Sequence, residues 1–434
     1  MMKPLGRKSI FPLVHLLASL CYFSTITLKV SASIVISQDT PVPVLPKGRA
    51  DIIGFNASHA IILRNTGYRS QFKHSVIPFD QGGLDWRVDR HPRLIGDIQG
   101  FGDADIVGFG DEGVYISRNS GHNGTFTPSE LVLGAFGYAP EAGSWRTERH
   151  LRFLVDLRNT GKVDIVGFGE DGVYVSLNDG SRFAPPTLVL PHFAYAGWKF
   201  DRHLRFLADL TGDGLLDIVG FYESGVYAAA NLGNGSFANP GGVFQGFYTI
   251  GQGWQISKHP RFLAHLTNSG RADIVGFGDA GVYVSVNNAN RTFTPPRLVL
   301  NKFGYDDEAG AWRVGVHPRF LADVNGDGLA DIVGFANDGT YVAVGNGDGT
   351  FQEPKFAVGD FGYDQGWTAI DKYPRFVVDL TGDGAVDIVG FGEGGIYVAF
   401  NDGKGNFEAA RLVTKANGYG GGTWTVRFPA NVYK

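Results

Sequence analysis

The chain has 434 residues, 38 Lys+Arg against 43 Asp+Glu, a formal net charge of −5, 63 glycines and one cysteine. An acidic chain without basic clusters argues against nucleic acid as a partner, and a single cysteine excludes a disulfide framework or a cysteine-bound zinc. A chain this long would ordinarily hold two or three domains, unless an internal repeat fuses it into one.

The first 32 residues read as a secretory signal: Lys3, Arg7 and Lys8, an apolar run over 10–23, then Val30-Ser31-Ala32 as a small-residue cleavage site. The run is too short to read as a membrane span, so residues 33–434 are expected to be exported as one soluble domain. Cys21 lies inside the signal and leaves with it, as do Lys3, Arg7, Lys8 and Lys29, which moves the formal charge from −5 to −5 − 4 = −9. Sequons at Asn56, Asn123, Asn234 and Asn290 fit a secreted glycoprotein. Residues 34–37 are apolar enough to add an edge strand.

Beyond this point the chain repeats itself. D-I-[IV]-G-F begins at Asp51, Asp105, Asp164, Asp217, Asp273, Asp331 and Asp387, seven copies spaced 53 to 59 residues apart. Each unit runs R-F-L-A-D-L, turn, D-I-V-G-F, turn, V-Y-V-S-x-N, a Gly/Asn turn ending in Phe, then L-V-L. The runs are β-branched and aromatic and the gaps are Gly, Asn and Asp, which makes four strands to a unit. Seven such units predict an all-β fold, a closed seven-bladed β-propeller. A Gly- and Tyr-rich linker (Phe303-Gly304-Tyr305 is typical) joins the units and ends in tryptophan: Trp86, Trp145, Trp198, Trp254, Trp312, Trp367 and Trp424.

Unit 1 lacks its first strand. Trp424 is followed by Arg427-Phe428-Pro429-Ala430-Asn431-Val432, a copy of that strand with nothing after it, so the C-terminus is predicted to complete blade 1 and remove the open sheet edges.

Two sets of residues are candidates for binding. The first is the turn D-x-[TN]-G-D-G-x-x-D, intact in three units: Asp209, Thr211, Asp213 and Asp217; Asp323, Asn325, Asp327 and Asp331; Asp379, Thr381, Asp383 and Asp387. Oxygen side chains on alternate residues around glycines can wrap a hard cation, which points to up to three structural Ca²⁺ ions. The alternative is an Asx-type turn whose carboxylates hold backbone N–H groups. Unit 2 has Phe101, unit 3 has Arg158, and unit 5 has His265 and Ser269 in this turn, and those loops are expected to hold themselves together.

The second set emerges when the units are compared with one another. His91, His150, His203, His259, His317 and Tyr373 form one column; Asp111, Glu170, Glu223, Asp279, Asn337 and Glu393 form another, always 20 residues on. The first precedes strand one and the second follows strand two, so an antiparallel hairpin brings both to one end, opposite the Asp/Gly turn. Unit 1 has Ala57 in the acidic column, His59 for the glycine two further on, Ile61 for the tyrosine, and no histidine. By contrast Arg93, Arg152, Arg205, Arg261, Arg319, Arg375 and Arg427 persist, as does D-I-[IV]-G-F. Columns kept in every unit are structural; columns lost together indicate a shared task, hence six sites. Imidazole and carboxylate hydrogen-bond adjacent hydroxyls and an aromatic face packs on a pyranose, a combination suited to a neutral sugar. The alternative is a His–carboxylate bond that merely pins each blade's loop. Trp145, Trp198, Trp254 and Trp312 are candidate stacking platforms. So are Tyr115, Tyr174, Tyr227, Tyr283, Tyr341 and Tyr397, although an aromatic on strand three is more often core.

Units of the form W-x4-H-P-R-F-L-A-D-x-[TN]-G-D-G-x-x-D-I-V-G-F-G-D-x-G-V-Y-V resemble the lectin family of the mushroom Psathyrella velutina, within the wider FG-GAP/VCBS repeat class that includes integrin α-chain propellers. The resemblance covers essentially the whole chain after residue 32. It implies a seven-bladed propeller lectin that recognises terminal N-acetylglucosamine in pockets between blades, with calcium in some Asp-rich turns. The His and acidic columns would supply the pockets. Tyr373, Asn337, and Leu151 and Leu204 in place of proline depart from the pattern. An integrin-like adhesion module that binds protein through its loops is the competing reading, but it gives no reason for the 20-residue register. A hydrolase needs one asymmetric acid/base pair in one cleft, whereas these groups recur six times, so no enzyme is expected.

Overall fold

The structure is a computed structural model that describes residues 50–55, 59–67, 72–78, 86–87, 89–120, 125–247, 252–289, 292–415 and 426–430. The expected signal (1–32), the 34–37 segment, Trp424, Ala57 and the sequons at Asn56, Asn123 and Asn290 lie outside these residues. The described residues form seven four-stranded antiparallel sheets, a seven-bladed β-propeller as the repeats predict.

Blade 5 is representative. Its strands are Arg261–Ala264, Asp273–Phe277, Val282–Ser285 and Arg297–Leu300, paired in chain order. The second strand is buried throughout, which is why it reads as a continuous apolar run rather than an alternating one. The fourth strand is half-exposed, and its pairing with the third slips by one residue between Val282 and Tyr283. First strands of neighbouring blades touch, in blades 2 and 3 and in blades 7 and 1, so they form the inner wall of the ring.

The invariant glycine of D-I-V-G-F is explained by packing. A Cβ on Gly276 would stand 2.6 Å from Cη2 of Trp254 and 2.6 Å from Cε1 of Phe247. Gly167 and Gly390 are crowded in the same way by Trp145 and Trp367. Each indole is therefore seated in a notch on its own blade's second strand, and Trp145, Trp254 and Trp312 are buried. Of the four indoles expected as sugar platforms these three are packed into the core, and Trp198 is half-buried.

The persistent arginines bind blade to blade. Arg261 is fully buried, donates from Nη1 to the carbonyl of Phe247 at 2.8 Å, and lies 5.6 Å from the ring of Phe221 in the preceding blade. Arg152 on Phe109 and Arg319 on Phe277 repeat the arrangement at 5.3 Å. A guanidinium is weakly hydrated and stacks on aromatic faces, so it tolerates this burial better than an ammonium would. A second device is the asparagine two residues past the third strand. Asn287 Nδ2 donates to the carbonyl of Leu210 at 3.0 Å, and Asn178, Asn231 and Asn401 reach Ile98, Leu157 and Val324 in the same manner.

Blade 1 is completed as expected: Val426–Ala430 pairs antiparallel with Asp51–Phe55, from Asp51↔Ala430 to Phe55↔Val426. Asn65 Nδ2 donates to Leu380 O at 2.7 Å and Ala50 N to Asp379 O at 2.9 Å, which ties blade 1 to blade 7.

Candidate functional site

The 20-residue register brings the two columns together. His259 Nε2 lies 2.8 Å from Asp279 Oδ1, His91 Nε2 3.0 Å from Asp111 Oδ1, and His150 Nε2 3.3 Å from Glu170 Oε1. His317 meets Asn337 Oδ1 at 2.8 Å, and in blade 7 the Tyr373 hydroxyl donates to Glu393 at 2.7 Å. Blade 4 departs: His203 stands 3.6 Å from Glu223, Arg202 binds that carboxylate at 3.2 Å, and the Tyr222 ring stacks 4.5 Å from the imidazole.

The backbone fixes the tautomer. Nδ1 of His259 accepts the Gln255 N–H at 3.1 Å, and His91, His150, His203 and His317 accept the amides of Arg87, Arg146, Lys199 and Arg313. With Nδ1 occupied as an acceptor, the ring proton resides on Nε2, where His91, His150 and His259 donate it to the carboxylate and His317 to the Asn337 carbonyl. Burial, the largest influence, lowers the pKa of all five imidazoles, to about 4 at His150 and His203. They are neutral donors at neutral pH.

Histidine and acid are unequal partners. The His259 side chain is 5% exposed and that of Asp279 is 55% exposed. The histidine is a buried orienter behind the carboxylate, and the carboxylate faces solvent with its second oxygen. Of the two groups expected to bond sugar hydroxyls, the acid is the exposed one and the histidine lies buried behind it.

The linker supplies what sequence reading missed. Tyr305 presents its ring to His259 edge-on at 6.3 Å and lies between two cations, Lys258 Nζ at 4.6 Å and the Arg313 guanidinium at 4.0 Å. Tyr138 lies between Arg90 and Arg146 at 4.6 and 3.6 Å, and Tyr195 between Arg149 and Lys199 at 4.4 and 4.3 Å. One cation precedes the histidine of the blade and the other follows the tryptophan of the next, so each arrangement straddles two blades. Beside blade 5, Tyr305, Asp306, Asp307, Glu308 and Arg313 line an open hollow of about 250 Å³. A signal existed: tyrosine after Phe-Gly or Phe-Ala in the linker, and a basic residue after Trp145, Trp198 and Trp312.

The strand-three tyrosines turn to their own blades. The hydroxyls of Tyr115, Tyr174 and Tyr341 donate to Glu112, Asp171 and Asp338 three residues back, and that of Tyr227 pairs with Ser224. Tyr283 and Tyr397 stand against Trp254 and Trp367 in the same column.

The Asp-rich turns lie at the other end of the same hairpins. Asp209 accepts the amides of Thr211, Gly212 and Gly214, and Asp213 accepts that of Leu215. Asp217 accepts from Asn231 and Leu210 at 2.8 and 2.9 Å. Asp323, Asn325, Asp327 and Asp331 repeat the pattern, as do Asp379, Thr381, Asp383 and Asp387. Among the described residues no three His, Cys, Asp or Glu side chains converge as metal ligands do. The donor set nevertheless suits a hard cation in kind. Burial, with a smaller contribution from the neighbouring turn carboxylates, pushes Asp217, Asp331 and Asp387 up to about 7, a crowding of negative charge that a cation would relieve.

A lectin of Agrocybe aegerita, whose structure explains its specific recognition of non-reducing terminal N-acetylglucosamine, shares 49% identity with this chain. The match covers 92% of this chain and 99% of that one at a TM-score of 0.85. The Photorhabdus luminescens Tc holotoxin pore and the V. cholerae biofilm matrix protein Bap1 match at 16% and 15% identity with TM-scores of 0.42 and 0.29, over 90% and 76% of this chain and 18% and 42% of theirs. No family model and no curated protein matches. With the seven blades, and identity sustained over nearly the whole of both chains, this protein belongs to the propeller lectin family of the Agrocybe aegerita lectin.

Proposed function

We propose that this chain is a secreted, multivalent lectin that binds terminal N-acetylglucosamine between adjacent blades, as the resemblance to the Psathyrella velutina family implies. The observation that carries the reading is the half-exposed carboxylate held by a buried neutral histidine, beside a linker tyrosine flanked by two cations, at the junctions after blades 2, 3 and 5. The relative that recognises the same sugar supports it.

The outward carboxylate oxygen accepts from sugar hydroxyls, and the cationic side chains held over the linker tyrosine donate to sugar oxygens at the rim. Each pocket would bind at about millimolar strength. Several on one rigid face raise avidity on a clustered glycan by roughly 10² to 10⁴. The junction after blade 6 carries Asn337 and Tyr363, with Val316 and Thr368 at the places of the two cations, and is the weaker one.

Calcium belongs to the reading as a structural ion of the turns in blades 4, 6 and 7, where Asp209, Asp213, Asp217 and their counterparts would hold it. When bound it would supply the positive charge those turns lack. Because the turns are at the far end of the hairpins, chelation is expected to lower stability and leave sugar affinity little changed. A glycan array tests the specificity: binding to terminal N-acetylglucosamine that free sugar reverses is expected, and no signal for any terminal N-acetylhexosamine would refute it.

A further inference from the structure

In blade 3 the turn from Asp156 to Asp164 reads D-L-R-N-T-G-K-V-D, where blade 4 reads D-L-T-G-D-G-L-L-D from Asp209 to Asp217. Arg158 therefore stands at the place of Thr211, and Thr160 at the place of Asp213. The guanidinium folds back into the turn. Its Nη2 donates to Asp164 Oδ1 at 2.7 Å and to the carbonyl of Asn178 at 2.7 Å, and its Nε to Asp164 Oδ2 at 3.3 Å. Asp164 is fully buried. The cation thus meets a buried carboxylate and a backbone carbonyl, the two kinds of oxygen that a hard metal ion takes.

The same position in blade 2 holds Gln99, whose amide reaches the same two acceptors, Asp105 Oδ1 at 3.3 Å and the carbonyl of Asn119 at 3.5 Å. In blades 4, 6 and 7 the position holds Thr211, Asn325 and Thr381, whose side chains turn instead to Asp209, Asp327 and Asp379 of their own turns. Asp217, Asp331 and Asp387 there accept backbone amides at 2.7 to 2.9 Å, and no cationic side chain lies against them among the described residues. The turns that lost the acid pattern, in blades 2, 3 and 5, each set a side-chain donor on that buried carboxylate: Gln99, Arg158 and Thr267.

We infer that Arg158 is the internal counter-ion of blade 3, occupying the place that blades 4, 6 and 7 leave for a bound divalent cation, so that blade 3 keeps its turn without metal. This rests on the calcium reading above and goes beyond it by assigning which blades depend on the ion. Removing Arg158 should leave Asp164 buried without a compensating charge. Restoring the acid pattern should then create a metal site where there was none.

The test compares the full-length wild type with Arg158→Thr and with Arg158→Thr/Thr160→Asp. Metal content is read by mass spectrometry after equilibration with calcium, and Tm is read with and without chelator. The expected contents are three calcium ions per chain in the wild type and in the single variant, and four in the double variant. The single variant should lose several degrees of Tm that calcium does not return; the double variant should recover them in calcium and lose them to the chelator. A wild type that binds no calcium refutes the calcium reading and this inference with it. A wild type that binds three, with a double variant that also binds three and has a calcium-insensitive Tm, refutes this inference alone. If the variants do not fold, amide exchange in the wild type decides: on chelation Gly161 should stay protected while Gly214, Gly328 and Gly384 become labile, and equal loss at all four overturns the inference.

Discussion

Asp279→Asn is the perturbation that tests the role of the carboxylate most cleanly. The side chain is 55% exposed, and an asparagine carbonyl can keep the His259 bond, as Asn337 does with His317 at 2.8 Å. Stability should therefore change by no more than about 0.5 kcal/mol. What is lost is the charge on the outward oxygen. A hydrogen bond to a charged group contributes roughly 1.5–3 kcal/mol and a neutral one about 1. Discounted for solvent at a half-exposed site, the difference is about 1 kcal/mol, a weakening of about fivefold. Asn337→Asp should strengthen the blade 6 junction by a comparable factor. Titration calorimetry with N-acetylglucosamine reads both: D279N loses one of the stronger sites from the stoichiometry and N337D gains one. Unchanged isotherms for both variants, with fold intact, would refute the placement of the sugar at the outward oxygen.

Gly276→Ala drives a methyl against Trp254 and Phe247 and should cost about 1–3 kcal/mol, read as a lowered denaturant midpoint; a neutral effect would mean the indole is not seated there. Asn287→Ala leaves the buried carbonyls of Leu210 and Ala272 without their side-chain donor and should cost about 2–3 kcal/mol by the same assay, and a loss below about 0.5 kcal/mol would show that the asparagine does not join the blades. His150 and His203 should stay neutral in an NMR titration until near pH 4, against an ordinary value of 6.5. Each folded pKa is depressed, so the contribution to stability is whole above about pH 6.5 and is lost as pH falls towards 4, by roughly 3 kcal/mol per residue. Titration near pH 6.5 would contradict the burial.

The ring, its seven blades and the strand borrowed from the C-terminus were legible because D-I-[IV]-G-F and R-F-P-A-N-V are local signals, repeated in register. The meeting of His259 with Asp279 was legible for the same reason: a hairpin of constant length carries fixed positions to one end. Depth was not legible. The spacing placed imidazole and carboxylate side by side, and only packing reveals that His259 is buried behind Asp279. Nor does spacing distinguish an indole on the surface from one seated on Gly276, because the seat is made by a strand 22 residues further along. Tyr305 and its two cations escaped notice since Lys258, Tyr305 and Arg313 come from two blades and a linker of variable length. The asparagine and arginine contacts between blades were hidden likewise, their partners being backbone carbonyls and rings of the preceding unit.

A crystal of the full chain soaked in N-acetylglucosamine tests the central claim most directly. The account predicts sugar at the junctions after blades 2, 3 and 5, with a hydroxyl on the outward oxygen of Asp111, Glu170 and Asp279. Sugar held elsewhere on the ring, with those three carboxylates facing only water, would contradict it.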